Sequence, residues 1–323
     1  MNVLITGAGG MLGGYLASGF HGHQVKTLGL RPDCEYPVDL TLSKPDFGSE
    51  KFDLVVHAAG TEEQDKAMAL NLEGTQRLLE ALDNNPPEYF VYVSSHQVYS
   101  RDAGEEITED TNTWATTEAG KSKALAEEKV KKWCERNEVT LTIIRPARMF
   151  GTGVKGETLQ LFNDALSGKY IHIRDNNARV SVVCAYDVAR AIEIVYEKGG
   201  VYNASDGSPV RFIDLVEAMT ANAGAKKRMT HLPATWAEWL WRLGRWVPFI
   251  QRNLAPHVVE ERMKTKILDG SKLSRVAGID YHDTIRVIER TDRDYPYAVH
   301  PLGNGKQSGE NGEEVKKQYY HEC

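Results

Sequence analysis

NVLITGAGGMLGGYLASGF, residues 2–20, is the stretch whose reading decides the fold. Its first five residues are a short apolar run, too brief for a helix and suited to a buried strand. A glycine-rich turn follows, and then an amphipathic helix. Gly7, Gly10 and Gly13 have the spacing G-x-x-G-x-x-G. The first glycine permits the tight turn, the second lets backbone approach a pyrophosphate, and the third lets the helix pack closely on the strand. The pyrophosphate would rest on the free N–H groups and positive dipole end of a helix opened by Met11 and Leu12. The glycines stand between a strand and a helix, the context that makes such spacing a dinucleotide cradle.

Working outward, strand and helix patterns alternate. HQVKTLGL (23–30) reads as the second strand and is followed by RPDCEYPVDL (31–40). A site for NAD usually ends this strand with an acid that bonds the ribose 2′-OH. Here Leu30 and then Arg31 stand in its place, and an arginine suits a 2′-phosphate, so NADP is expected over NAD. FDLVVHAAG (52–60), YFVYVSSHQVY (89–99) and LTIIRPARMFG (141–151) read as further buried strands, with helices over 67–85 and 116–137 between them. Alternation of this kind implies a doubly wound parallel sheet of Rossmann type, with ligands at the carboxyl ends of its strands. The expected division is a dinucleotide-binding domain over 1–150, with segments near 180–205 returning to it, and a smaller substrate lobe over 151–302. A polar, glycine-rich tail is expected over 303–323, disordered apart from a short helix at 313–320.

Composition narrows the function classes. The 323 residues carry a formal net charge of −6, which argues against a nucleic-acid groove. Cys34, Cys134, Cys184 and Cys323 lie far apart without a CxxC or His/Cys cluster, so no metal site is expected and reduced, buried thiols are. The chain opens directly into a strand and no run reaches the ~18 apolar residues a membrane span needs, so a cytoplasmic protein is expected.

Taken in order, TGAGGMLGG, the DL at 39–40, HAAG, NLEGTQRLLEA, VSSHQVYS, GKSKALAEE, IIRPARMFG, SVVCAYDVARAI and GVYNASDG resemble the extended short-chain dehydrogenase/reductases, the NAD-dependent epimerase/dehydratase group. The matching pieces span about residues 1–290. The resemblance implies hydride transfer on a nucleotide-activated sugar. It implies that Gly7, Gly10 and Gly13 hold pyrophosphate, that Asp39 and Leu40 flank the adenine, and that Ala58, Ala59 and Gly60 line the ribose side, with Asn71 supporting the adjoining helix. Ser95 matches the reacting Ser/Thr, Lys123 matches the catalytic lysine, and Pro146 would meet the nicotinamide amide. His96, Arg148 and Arg179 would face the substrate, Arg179 near its diphosphate. The pair His96–Gln97 stands where some dehydratase relatives carry acids, which argues against a simple dehydratase.

The departure is Ala119. The family carries tyrosine there, one helical turn before the lysine, so that the two side chains share a face and the lysine's charge lowers the phenol's pKa for proton exchange. Three explanations compete. The alanine is a Tyr→Ala change made to stop turnover; another group, among His96, Tyr99, Glu118 and Tyr186, supplies the proton; or the chain is a non-catalytic nucleotide binder. A steroid-like or other apolar alcohol is the alternative substrate, because PATWAEWLWRLGRWVPFI (233–250) carries four tryptophans that could line an apolar cleft. Trp236, Trp239, Leu240, Leu243, Trp246 and Val247 recur at helical spacing and are expected to form one apolar face packed on the lobe. A dimer surface and a membrane surface, with Arg242, Arg245 and Arg252 flanking, are the lesser alternatives.

Overall fold

The computed structural model describes residues 1–289, with Arg101, Lys155, 223–228 and Arg245 excepted; the tail expected over 303–323 and Cys323 lie outside the described residues. Six strands come first: β1 (Asn2–Thr6), β2 (Gln24–Gly29), β3 (Tyr36–Pro37), β4 (Leu54–His57), β5 (Tyr89–Val93) and β6 (Thr140–Pro146). Seven more follow among the described residues: β7 (Arg148–Phe150), β8 (Ile171–Ile173), β9 (Arg179–Val180), β10 (Val182–Cys184), β11 (Gly200–Ala204), β12 (Val210–Arg211) and β13 (Thr230–Leu232). Seven of them form one sheet in the order β3-β2-β1-β4-β5-β6-β11, every neighbouring pair parallel. The order reverses at β1 and β4, and a crevice opens at such a switch point.

Both faces of this sheet are covered, which is why its strands read as continuous apolar runs rather than alternating ones. Val3 and Ile5 of β1 pack on one side with Leu16, Val188 and Ile192, from α1 (Met11–Gly19) and, later in the chain, residues 185–195. Leu4 packs on the other with Leu78, Leu79, Val130 and Trp133, from α2 (Thr75–Leu82) and α3 (Glu118–Arg136). A π-helical segment, Met68–Gly74, leads into α2. Beyond β7 come α4 (Gly156–Ser167), α5 (Ala185–Val195), α6 (Phe212–Asn222), α7 (Ala234–Leu243), α8 (Pro248–Leu254), α9 (Pro256–Met263), α10 (Ser271–Ala277) and α11 (Thr284–Glu289). α4, α6 and α11 share a separate core around Phe150, Phe162, Phe212, Leu215 and Ile288.

The tryptophan-rich segment departs from the single packed face expected of it. The buried side of α7 is Ala237 with partly buried Leu240 and Trp241. Trp236, Trp239, Leu243 and Trp246 face solvent, and none of the four tryptophans lines the cleft described below. The reason is that α7 is apolar on two sides, while the small cluster beneath it, Ile173, Leu232, Ala237 and Leu254, accommodates one.

Candidate functional site

The carboxyl ends of β1, β4, β5 and β6 open into one cleft of about 1770 Å³. A drug-sized ligand needs ~300–1,000 Å³, so the space suits a dinucleotide and a second molecule together. At its β1 end, Gly7 has φ +72°, and a Cβ there would stand 2.7 Å from the backbone of Ala59. A Cβ on Gly13 would stand 2.1 Å from Gly7 O, so the first turn of α1 approaches the strand end as only glycine allows. Gly10 heads α1 without a side-chain cap, and the first turn holds no acid. That leaves the helix start, through Met11 and Leu12, free to receive an anion. These features fit a dinucleotide's pyrophosphate.

Arg31 lies against this turn, its Cδ 3.0 Å from where a Gly9 Cβ would be, and its Nε donates to Asp33 Oδ1 (2.8 Å). Asp39 Oδ1 accepts from the backbone N–H (2.8 Å) and hydroxyl (2.7 Å) of Thr41, which fixes the turn carrying Leu40. Arg31, Asp39, Leu40, Ala58, Ala59 and Gly60 all line the cleft. Asn71 does not. It is fully buried, accepts from Thr61 N (2.8 Å) and donates to Thr61 O (2.9 Å) and Ser122 Oγ (3.0 Å), tying the loop after β4 to α3.

Lys123 Nζ donates to Val93 O (2.8 Å) and sits 5.0 Å from the Tyr92 ring centroid. Burial pushes its pKa down to about 8, partly countered by Glu127 and Glu62. Ser95 Oγ accepts from Gln97 N (3.1 Å), capping the 3-10 turn His96–Val98, so its proton remains free to turn toward the cleft. Ala119 is 3% exposed and also faces the cleft. Ahead of it, Thr117 Oγ1 accepts from Gly120 N (3.0 Å), and Gln64 Oε1 accepts from Glu118 N (2.8 Å), so α3 is capped from its own side and from the loop across the cleft.

Of the four groups considered as a substitute proton donor, two lie elsewhere. The Tyr99 hydroxyl donates to Asn203 Oδ1 (2.7 Å) and accepts from Arg145 Nη1 (2.9 Å) in the core, and Tyr186 packs against Tyr15 and His282. Glu118 lines the cleft but pairs with Lys121 (2.8 Å). His96 Nδ1 lies 3.2 Å from Pro146 O, a contact that requires the proton on Nδ1. Burial, then the charges of Lys266 and Arg148, pull its pKa down to about 3. At neutral pH it is an uncharged ring with Nε2 as acceptor, which gives it no proton to donate there.

On the lobe side the cleft carries more cations than acids: Arg148, Arg262, Lys264 and Lys266 line it beside Asp164 and Glu261. Arg148 Nη1 donates to Thr158 Oγ1 (3.3 Å). Arg262 lies over the stacked rings of Tyr170 (5.4 Å) and Phe212 (5.7 Å) and donates to Asn253 Oδ1 (3.1 Å). Lys266 joins them in the lining. Arg179 does not line the cleft: its guanidinium donates to Pro209 O (2.8 Å) on the exposed β9–β12 ribbon. Glu62, Gln64, Arg262 and Lys266 carried no signal in the sequence, being charges and amides in ordinary-looking polar runs.

Among the described residues, no three His, Cys, Asp or Glu side chains gather into a metal site, and no helix is long and apolar enough to cross a membrane. Cys34, Cys134 and Cys184 are buried free thiols.

The model of the NAD dependent epimerase/dehydratase family matches residues 3–205. An N-acetyl-alpha-D-glucosaminyl-diphospho-ditrans,octacis-undecaprenol 4-epimerase of Escherichia coli O157:H7 is 25% identical over 250 residues, 72% of this chain and 75% of the relative. Human dTDP-D-glucose 4,6-dehydratase is 24% identical over 193 residues, 54% of this chain, and the match spans only about half (53%) of that enzyme. A decarboxylating sterol-4-alpha-carboxylate 3-dehydrogenase of Candida albicans is 26% identical over 266 residues, 69% of this chain and 75% of the relative. Solved epimerase structures align with TM-scores near 0.67 at 16–18% identity, covering 86–87% of this chain and 92–94% of theirs, a likeness of fold alone.

Proposed function

The chain belongs to the NAD-dependent epimerase/dehydratase family, and from that premise we propose that it acts on a sugar carried through a diphosphate. The reaction is epimerisation or ketone/alcohol interconversion, and Ala119 cripples its proton transfer. The observation that carries this reading is the polarity of one cleft. A glycine cradle and open helix start lie at one end, Arg148, Arg262 and Lys266 at the other, and Ser95, Lys123 and Pro146 between them. Two relatives with different chemistry, the E. coli epimerase and the human dehydratase, are named for sugars joined through a diphosphate, the group such cations would hold. The sterol dehydrogenase favours an apolar alcohol instead. That reading loses its footing here because none of the four tryptophans lines the cleft and its lobe wall carries more cations than acids.

When bound, the nicotinamide would exchange a hydride with a sugar carbon. Ser95 would donate its free proton in a hydrogen bond to the reacting oxygen. Lys123, held by Val93 O, would orient the nicotinamide ribose. Arg31 would meet a 2′-phosphate, so the cofactor is NADP; its bond to Asp33 would be shared or exchanged. Loss of a general acid/base costs ~10²–10⁴ in rate. Product analysis of this protein and its Ala119→Tyr variant, incubated with NADP or NAD and a panel of sugar diphosphates, is the test. Turnover about 10²-fold or more higher in the variant is expected. Equal turnover in both would overturn the crippled-acid reading, and silence in both would overturn the substrate class.

A further inference from the structure

The side of α7 turned away from the protein, with the turn after it, gathers four large exposed apolar side chains. Trp236 is 59% exposed, Trp239 57%, Leu243 63% and Trp246 82%. Positions 236, 239 and 243 recur at helical spacing along one stripe, and Trp246 continues it past the helix end. The Trp236 and Trp239 rings meet edge to face at 6.4 Å, so the indoles form a patch rather than scattered exposures. We propose that this face seats the protein on a bilayer carrying anionic headgroups, and that the sugar diphosphate entering the cleft is one borne on a membrane lipid. The second half rests on the sugar-diphosphate reading above; the first does not.

Three observations favour lipid over a second copy of the chain. The first is residue type. Three of the four large exposed side chains are indoles, whose apolar body and N–H suit the headgroup level of a membrane. The second is charge. The chain as a whole carries −6, yet the sequence from 234 to 252 has three arginines, Arg242, Arg245 and Arg252, against one acid, Glu238, which pairs with Arg242 (2.6 Å) and leaves a surplus of two cations. Anionic lipid complements such a segment, whereas a two-fold interface would set it against itself. The third is continuity with the cleft. α7 packs on α8, where the Trp241 indole donates to Gln251 Oε1 (2.9 Å), and Gln251 lines the cleft with Ala255 and Val258 beyond it. The apolar face is therefore one helix away from the wall that holds Arg262. A lipid-borne diphosphate lies at headgroup depth, where that wall would meet it. No described helix crosses a membrane, so the attachment is that of a surface helix.

Flotation of the full chain with phosphatidylcholine vesicles, with and without phosphatidylglycerol, tests the docking. The wild type should float with the mixed vesicles, less with phosphatidylcholine alone, and its tryptophan emission should shift to the blue. The triple variant Trp236→Ser, Trp239→Ser, Trp246→Ser should keep its melting temperature and NADP response and partition about tenfold less or weaker, because each indole offers ~150–250 Å² to bury. Absence of flotation, or equal flotation of the triple variant, overturns the docking. So does a lipid-independent dimer, seen by light scattering, that the triple variant abolishes. For the carrier, the Ala119→Tyr protein is given one sugar diphosphate on a polyprenyl or a nucleotide carrier, with vesicles present. Preference for the polyprenyl form, lost in the triple variant, is expected. Equal turnover of both carriers overturns the lipid assignment. No turnover of either, with vesicle binding intact, overturns the carrier half and the sugar reading while the docking surface stands.

Discussion

On the proposed reading alanine at 119 removes a proton donor, and the backbone and side chains around it are bonded among themselves. Ser122 Oγ donates to Ala119 O (2.8 Å) and accepts from Asn71, and Lys123 reaches Val93 O one step on. The helix start is therefore held by groups that do not include the missing phenol. Lys123 itself offers a test of its burial that needs no substrate. The folded state holds its proton less tightly than the unfolded chain, about 8 against 10.5. Between those values the unfolded chain binds a proton that the folded one does not, so stability rises with pH across that window, and below it the cost of the buried charge is constant. Lys123→Met carries no such proton. In urea unfolding followed from about pH 8 to about pH 10, the wild type should gain on this variant as pH rises; a constant gap would show that the ammonium is not desolvated. At this scale the sequence was partly legible. Motif spacing marked Ser95 and Lys123, both now facing one cleft, but nothing local told that His96 would be held neutral by burial and, after it, by two cations, one of them 170 positions away at Lys266.

α3 shows how an element carries a site. Its buried residues, Ala119, Ser122, Lys123, Ala126, Glu127, Val130 and Trp133, fall on one face at intervals of three and four. That face bonds in turn to the loop after β4, to the end of β5 and to β6. The β6 bond is the deepest: Arg145 donates to both oxygens of Glu127 (2.9 and 2.6 Å), and the Ser94 hydroxyl donates to Glu127 Oε1 (2.6 Å) beside Ser95. Removing one partner of a buried pair leaves the other's charge unmet and costs about 3–5 kcal/mol. Glu127→Gln should lose that much in urea unfolding and displace Ser94 and Lys123 together; a loss below about 1 kcal/mol would mean the pair is solvated in solution. The helix expected over 116–137 runs from Glu118 to Arg136, and the three- and four-residue spacing of its apolar positions marks its buried face. Its partner Arg145 was beyond reach, since spacing within one element says nothing about which strand lies under it. α7 is the complementary case. Both of its sides are apolar, so periodicity gathered Trp236 to Val247 into one face and could not tell which side meets protein.

At the scale of the molecule, one turn of sequence implied the architecture because alternating strands and helices admit few arrangements. The four strand ends, TGAGG, HAAG, SSHQVY and RPARMFG, converge on the cleft because a parallel sheet puts every carboxyl end on one edge. The lobe wall was not legible. Arg262 and Lys266 arrive from a part of the chain where the pattern loosens, and they stand in the wall in place of Arg179, which spends its guanidinium on Pro209 O. This separation of cradle and lobe has a measurable consequence. Ala119 lines the cleft away from the glycines, so on the proposed reading cofactor binding should be as strong in this protein as in its Ala119→Tyr variant. A ligand at 100 times its Kd stabilises the folded state by about 2.7 kcal/mol, which for a chain of this size raises Tm by roughly 5 °C. NADP should produce that rise in both proteins, and NAD at the same concentration a smaller one. Arg31→Ala should abolish the difference between them, since only the 2′-phosphate distinguishes the ligands and Arg31 is the cation lying against the glycine turn, where the proposed reading puts that phosphate. A larger rise with NAD, unchanged in Arg31→Ala, would reassign the cofactor and leave Asp33 as the nearby acid to bond the ribose hydroxyl.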